Sequence, residues 1–153
     1  MTTSNFTTTI LVDNSPNEVF NAVNNVRQWW SGFHSEEITG NTQELNDEFI
    51  YRAGQGAHYS KHKLVEVIPN KKVVWLVTES ELNFLKNKNE WTGTKIIFEI
   101  SKKGSKTELR FTHEGLVPGV ECYDGCVPAW TKYVQEKLLT LITSGKGQEQ
   151  PER

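Results

Sequence analysis

The chain has 153 residues, of which 36% are hydrophobic, 24% charged and 10% aromatic, with a formal net charge of −2. That length suits one domain, residues 1–153, and the composition excludes both a disordered chain and a membrane-embedded one. Seventeen basic against nineteen acidic residues leave no surplus for a nucleic-acid-binding face, while five Trp, four Tyr and seven Phe are rings enough to fill a core or line a cavity.

The start, Met1-Thr2-Thr3-Ser4-Asn5, is polar and lacks the basic and apolar regions of a signal peptide. No apolar run approaches the ~20 residues of a spanning helix. A cytoplasmic protein without membrane insertion is expected. Residues 6–12 alternate weakly and are rich in Thr and branched side chains, which predicts a first strand. Ser15-Pro16-Asn17-Glu18 then offers a Ser cap, Pro at the first helical position and Glu three residues after the cap. Val19, Phe20, Val23, Val26 and Trp30 follow at three- and four-residue steps, giving a helix an apolar face. A second short helix or turn is expected over 27–33, ended by Gly32.

From 36 to 114 the texture becomes strands separated by turn residues. The spans 48–52, 58–68, 72–78, 92–102 and 106–114 are expected strands, with a weaker one inside 36–43. Gly54-Gln55-Gly56, Pro69-Asn70 and Lys103-Gly104-Ser105 are short connections, so the strands they join run antiparallel. Residues 80–90 are polar and read as a loop, with Trp91 exposed after it. Val127, Trp130, Val134, Leu138, Leu141 and Ile142 restore a helical stripe, with Gly145 as the stop and Pro128 either in the first turn or kinking the helix. The ordered core is expected over about 6–145, with a polar tail over 146–153. The order is α+β: a strand, two short helices, an antiparallel run of strands, and a long terminal helix covering the sheet.

Few residues carry recognisable chemistry. His113 shares a strand face with Leu109 and Phe111, where an imidazole either orients a polar ligand group or is a core histidine bonded to its neighbours. His58 and His62, four apart on a strand, lie ~13 Å apart and cannot share a metal ion; an exposed strand face is expected for them. Cys122 and Cys126 have neither redox-pair nor zinc-ribbon spacing, and two reduced, half-buried thiols are expected. Gly54-Gln55-Gly56 lacks the third glycine and the strand-to-helix setting of a dinucleotide loop. No serine nucleophile, paired catalytic carboxylates or phosphate loop is recognisable. No catalytic residue, cofactor or metal is therefore assigned.

Ser15-Pro16-Asn17-Glu18-Val19-Phe20-Asn21-Ala22 followed by Trp29-Trp30 resembles the opening of the START-like, or SRPBCC, superfamily, the helix-grip fold of the birch pollen allergen. Leu64-Val65-Glu66-Val67-Ile68-Pro69 with Val73-Val74-Trp75 resembles a hairpin of the same group. Leu109-Arg110-Phe111-Thr112-His113-Glu114-Gly115-Leu116, Cys122-Tyr123, Ala129-Trp130 and Ser144-Gly145-Lys146-Gly147-Gln148 resemble its bacterial branch related to the activator of the 90-kDa heat-shock-protein ATPase. Relatives often have Gly before the helix tryptophan, where this chain has Pro128-Ala129. The resemblance implies a curved antiparallel sheet of about six or seven strands around a long C-terminal helix. It also implies a deep apolar cavity between them, able to hold a small hydrophobic molecule such as a lipid, polyketide or flavonoid. On that reading Trp30, Tyr51, Trp75, Phe98, Phe111, His113, Trp130 and Tyr133 are the ligand-binding candidates. A cyclase, aromatase or hydrolase using the same cavity, with His113 and Tyr51 or Tyr59, is the alternative. A co-chaperone-like interaction module ranks third.

Overall fold

The computed structural model describes residues 5–31, 33 and 35–144. The polar start 1–4, the Gly32 and Gly145 stops and the tail 146–153 lie outside the described residues. The strands are β1 (Phe6–Val12), β2 (Glu37–Gly40), β3 (Glu48–Ala53), β4 (His58–Ile68), β5 (Lys72–Leu82), β6 (Lys95–Lys103) and β7 (Lys106–Glu114). They form one antiparallel sheet in the order β1-β7-β6-β5-β4-β3-β2. Between β1 and β2 come the short helices α1 (Pro16–Asn24) and α2 (Val26–Trp29). The curved sheet and terminal helix make this the α+β helix-grip arrangement.

Local chemistry sets the start of α1. The Ser15 hydroxyl accepts from the Glu18 N–H at 3.2 Å, and the Glu18 carboxylate accepts from the Ser15 N–H at 2.9 Å. This reciprocal box satisfies two of the four free donors of the first turn. Val19, Ala22 and Val23 then face the sheet. The second helix is shorter than the expected 27–33, because the chain leaves helical geometry at Trp30.

The sheet's inner face follows strict alternation on β6 and β7. Ile96, Phe98 and Ile100 are buried on one strand, and Thr107, Leu109, Phe111 and His113 on the other. Burying one such large apolar side chain stabilises by roughly 1.5–3 kcal/mol. Two bulges disturb β4 and β5. The register skips Val65 and then Thr78, and each skip inverts the inward phase of its strand. After Thr78, Ser80 and Leu82 point inward while Glu79 and Glu81 point out. Residues 80–82, read from their polarity as loop, are therefore strand. At the other edge β6 starts at Lys95, since residues 91–94 turn back on themselves through the Thr94 N–H to Trp91 carbonyl bond.

The terminal helix has three parts: α3 (Tyr123–Lys132), a π-helical segment (Tyr133–Leu138) and α4 (Leu139–Ser144). Pro128 lies inside α3, where it has no N–H to give to Asp124. Trp130, Tyr133, Val134, Leu138, Leu141 and Ile142 are buried against the sheet and the short helices. The stripe read from the sequence is buried except for Val127, which is half-buried, and Tyr133 joins it, since the π segment gives it a wider turn.

Candidate functional site

The terminal helix closes over one half of the sheet and leaves a cavity of about 300 Å³ at the other. Six rings wall it: Trp30, Tyr51, Phe84, Trp91, Trp130 and Tyr133. The space exists because the intervening positions are small. Ala53, Gly54 and Ala57 supply the sheet side, and Gly125 and Ala129 the helix side. His58 and Cys126 complete the lining, which among the described residues includes no Lys, Arg, Asp or Glu.

The rings form a continuous stack. Trp30 lies nearly parallel to Tyr51 with centroids 3.7 Å apart, and on Trp130 at 4.9 Å. Trp130 in turn stacks with Trp91 at 5.8 Å. Trp91, expected to be exposed, is 4% exposed, because the loop after β5 folds back across the sheet. Nothing periodic in its polar neighbours signals that.

Of the eight candidate residues, Trp30, Tyr51, Trp130 and Tyr133 are on the cavity wall. Trp75, Phe98, Phe111 and His113 are fully buried behind it. Trp75 packs on Phe98 with centroids 4.9 Å apart, and Phe111 on Trp130 at 4.7 Å. His113 engages protein on both ring nitrogens. Trp130 Nε1–H donates to its Nδ1 at 3.0 Å, so the ring proton sits on Nε2 and is donated to Thr94 Oγ1 at 2.9 Å. Thr94 passes its own proton to the Trp91 carbonyl at 2.6 Å. Burial, with a smaller push from His58, holds the His113 pKa down at about 3, so the ring is neutral. Gly115 lets this corner close: its φ is +106°, and a Cβ there would meet Thr94 Cγ2 at 2.6 Å.

Two polar chains reach the cavity. In the first, Tyr133 Oη donates to Glu36 Oε2 at 2.5 Å and accepts from Tyr51 Oη at 3.1 Å. Tyr51 ionises only well above its usual range, first because it is buried and then because Tyr133 and Glu36 disfavour a second negative charge. Burial and the hydrogen bond to Glu36 raise the Tyr133 pKa as well. In the second, Ser60 Oγ lies 3.0 Å from His58 Nε2 and 2.8 Å from His62 Nε2. The expectation of an exposed face for these histidines is corrected. Residues 58, 60, 62 and 64 share the inward side of β4, and His62 is fully buried. Burial holds His58 down at about 3 and His62 well below its usual value. Tyr59, on the opposite face of β4, donates to Glu79 outside the cavity.

The thiol expectation is also corrected. Cys122 and Cys126 are joined as a disulfide with Cα atoms 5.4 Å apart, within the usual range of roughly 4.4–6.8 Å. Cys122 caps α3 and Cys126 lies one turn on, so their side chains share a helix face. The mouth beside them is cross-tied. The Glu90 carboxylate accepts from the N–H groups of Glu121 and Cys122, while the Glu121 carboxylate accepts from those of Lys86 and Asn87. Among the described residues no group of three or more His, Cys, Asp or Glu could hold a metal, and no helix is long and apolar enough to cross a membrane.

Residues 13–143 match the family model for "Activator of Hsp90 ATPase homolog 1-like protein". The chain belongs to that family. Its fold matches the solution structure of the Aha1 dimer from Colwellia psychrerythraea at 24% identity and TM-score 0.72, over 94% of this chain and 99% of that one. It also matches the Mll3558 protein from Rhizobium loti at 17% identity and TM-score 0.70, over 92% and 97% of the two chains. DynU16, from the dynemicin biosynthetic locus, matches at 14% identity and TM-score 0.62, over 92% of this chain and 48% of that one. At these identities the likeness is one of fold. No curated protein matches the chain in sequence. The family and fold inferred from the opening Ser-Pro-Asn-Glu box, the Trp pair and the 109–116 strand are those found.

Proposed function

We propose that the chain binds a small, uncharged, largely apolar or aromatic molecule, of lipid, polyketide or flavonoid type, in the cavity between β3, β4 and α3. The observation that carries this reading is a ring-walled cavity of about 300 Å³ without a charged side chain in its lining among the described residues. That volume is at the lower end of small-molecule sites, which are mostly apolar with a few placed polar groups. Parallel rings such as Trp30 and Trp130 favour a flat guest, since offset stacking adds about 0.5–1.5 kcal/mol beyond area burial. A charged guest would lose its hydration without gaining a counter-charge. The fold shared with a protein of the dynemicin biosynthetic locus supports a cavity-based role.

The test is native mass spectrometry and organic extraction of the purified protein, followed by a thermal-shift and tryptophan-quenching screen of flavonoids, lipids and polyketide-like compounds. A true ligand at a hundred times its Kd stabilises by about 2.7 kcal/mol. A protein that co-purifies with nothing and responds to no compound in the screen overturns the binding reading.

A further inference from the structure

The second polar chain resolves into a single arrangement of protons. Ser60 has one hydroxyl hydrogen and two imidazole partners, so it donates to one of them and accepts from the other. His62 decides which. Its Nδ1 is buried without a partner, its ring packed parallel to Phe49 at 4.9 Å and edge-on to Trp30 and Trp75. An orphaned buried N–H is rarer than an orphaned lone pair. The bare nitrogen is therefore the lone pair, and the His62 proton sits on Nε2. His62 Nε2–H donates to Ser60 Oγ, and the Ser60 hydroxyl donates to His58 Nε2. The neutral His58 ring must then carry its proton on Nδ1.

No hydrogen bond joins His58 Nδ1 to another described residue, and His58 is part of the cavity wall. Its ring is held by edge-on contacts with Tyr51 at 4.9 Å and Trp91 at 4.8 Å. His113 has the reverse tautomer with both nitrogens engaged, so His58 is the histidine with a hydrogen to give.

We infer that His58 is the polar anchor of the cavity: its Nδ1–H, fixed by the Ser60–His62 chain, takes a neutral carbonyl oxygen on a flat aromatic guest. This rests on the binding reading above and deepens it. A carboxylate is disfavoured because His58 is neutral and the described lining has no cation to pair with it. Ser60 and His62 are positioning residues that select the tautomer.

The experiment uses three probes of similar shape, read by tryptophan quenching: 2-acetylnaphthalene, 2-isopropenylnaphthalene (its carbonyl-free twin) and 2-naphthoate. One neutral hydrogen bond in a dry pocket corresponds to roughly tenfold in affinity. The wild type is expected to bind the ketone about tenfold more tightly than the alkene, and naphthoate more weakly than the ketone. In His58→Phe the preference falls to about one while the alkene still binds, which shows the cavity intact. Ser60→Ala, which frees the tautomer, lowers the preference partway. Imidazole nitrogen chemical shifts give the second readout, with His58 expected protonated at Nδ1 and His62 at Nε2. A wild type that binds ketone and alkene equally overturns the anchor while sparing the binding reading. A His58 signal showing the proton on Nε2 overturns it as well. If neither neutral probe binds at millimolar concentration, the binding reading fails and the anchor with it.

Discussion

The two halves of the sheet are built by one rule and end differently. Along β6 and β7 the inward positions Ile96, Phe98, Ile100, Leu109, Phe111 and His113 carry large side chains, and the helix side answers with Trp130, so Phe98, Phe111 and Leu109 are sealed. Around the turn from β3 to β4 the lining residues shrink to Ala53, Gly54 and Ala57, opposite Gly125 and Ala129, and a cavity results. The histidines divide in the same way. His113 on the closed side satisfies both nitrogens within the protein, whereas His58 on the open side satisfies one. A cavity in this fold arises from the placement of small residues; the aromatic content is high on both sides.

Substitutions that treat the two halves alike should separate them most strongly. Phe98→Ala is expected to lower unfolding free energy by about 3–5 kcal/mol, whereas Phe84→Ala, at a half-exposed ring of the mouth, should change it by less than about 0.5 kcal/mol. Chemical denaturation measures both, and equal losses would erase the distinction.

Acid supplies the next contrast. His113 is neutral in the fold with a pKa of about 3 against an unfolded value near 6.5. The unfolded chain therefore binds the proton first. Stability is complete above pH 6.5 and declines as pH falls toward 3, by about 1.4 kcal/mol per pH unit for each such histidine. His62 and His58, also held down by burial, add to the slope in the same direction. Denaturation between pH 6.5 and 5, above the main carboxylate range, should show this slope, and His113→Gln should flatten it by one histidine's share. An unchanged slope in that variant would remove His113 from the account.

Overpacking gives a smaller difference. Leu109→Phe in the closed half is expected to cost about 1–3 kcal/mol, while Ala129→Phe should fit the vacant space, leave stability within about 1 kcal/mol, and abolish probe binding. Smallest is the tyrosine pair. Tyr133→Phe strands the buried Tyr51 hydroxyl and should cost about 1–3 kcal/mol, against about 1 for Tyr51→Phe, which removes the outer link alone.

Features with a local cause were legible in the sequence. The α1 start follows from four adjacent residues, and the β7 core face from plain alternation of Leu109, Phe111 and His113. The inward side of β4 was misread because its members at 58, 60 and 62 are His, Ser and His, so alternation carries no hydropathy contrast. The bulge at Thr78 hid the end of β5 by inverting the phase within a polar stretch. Tyr51 and Tyr133 were singled out as rings, but the chain from Tyr51 through Tyr133 to Glu36 joins residues 82 and 97 positions apart. The cavity's outline was least legible, since it depends on where bulk is missing across two distant segments, 53–57 and 125–129.

The crossed glutamates at the mouth have a mechanical consequence. Phe84 belongs to one lip of the opening and Gly125 and Cys126 to the other. Glu90 reaches from the first lip to amides of the second, and Glu121 reaches back to amides of the first. Each lip is thus the other's clasp, and neither can swing alone without releasing its own anchor. The amides of Lys86, Asn87, Glu121 and Cys122 are thereby tied into one unit and are expected to open to hydrogen exchange together.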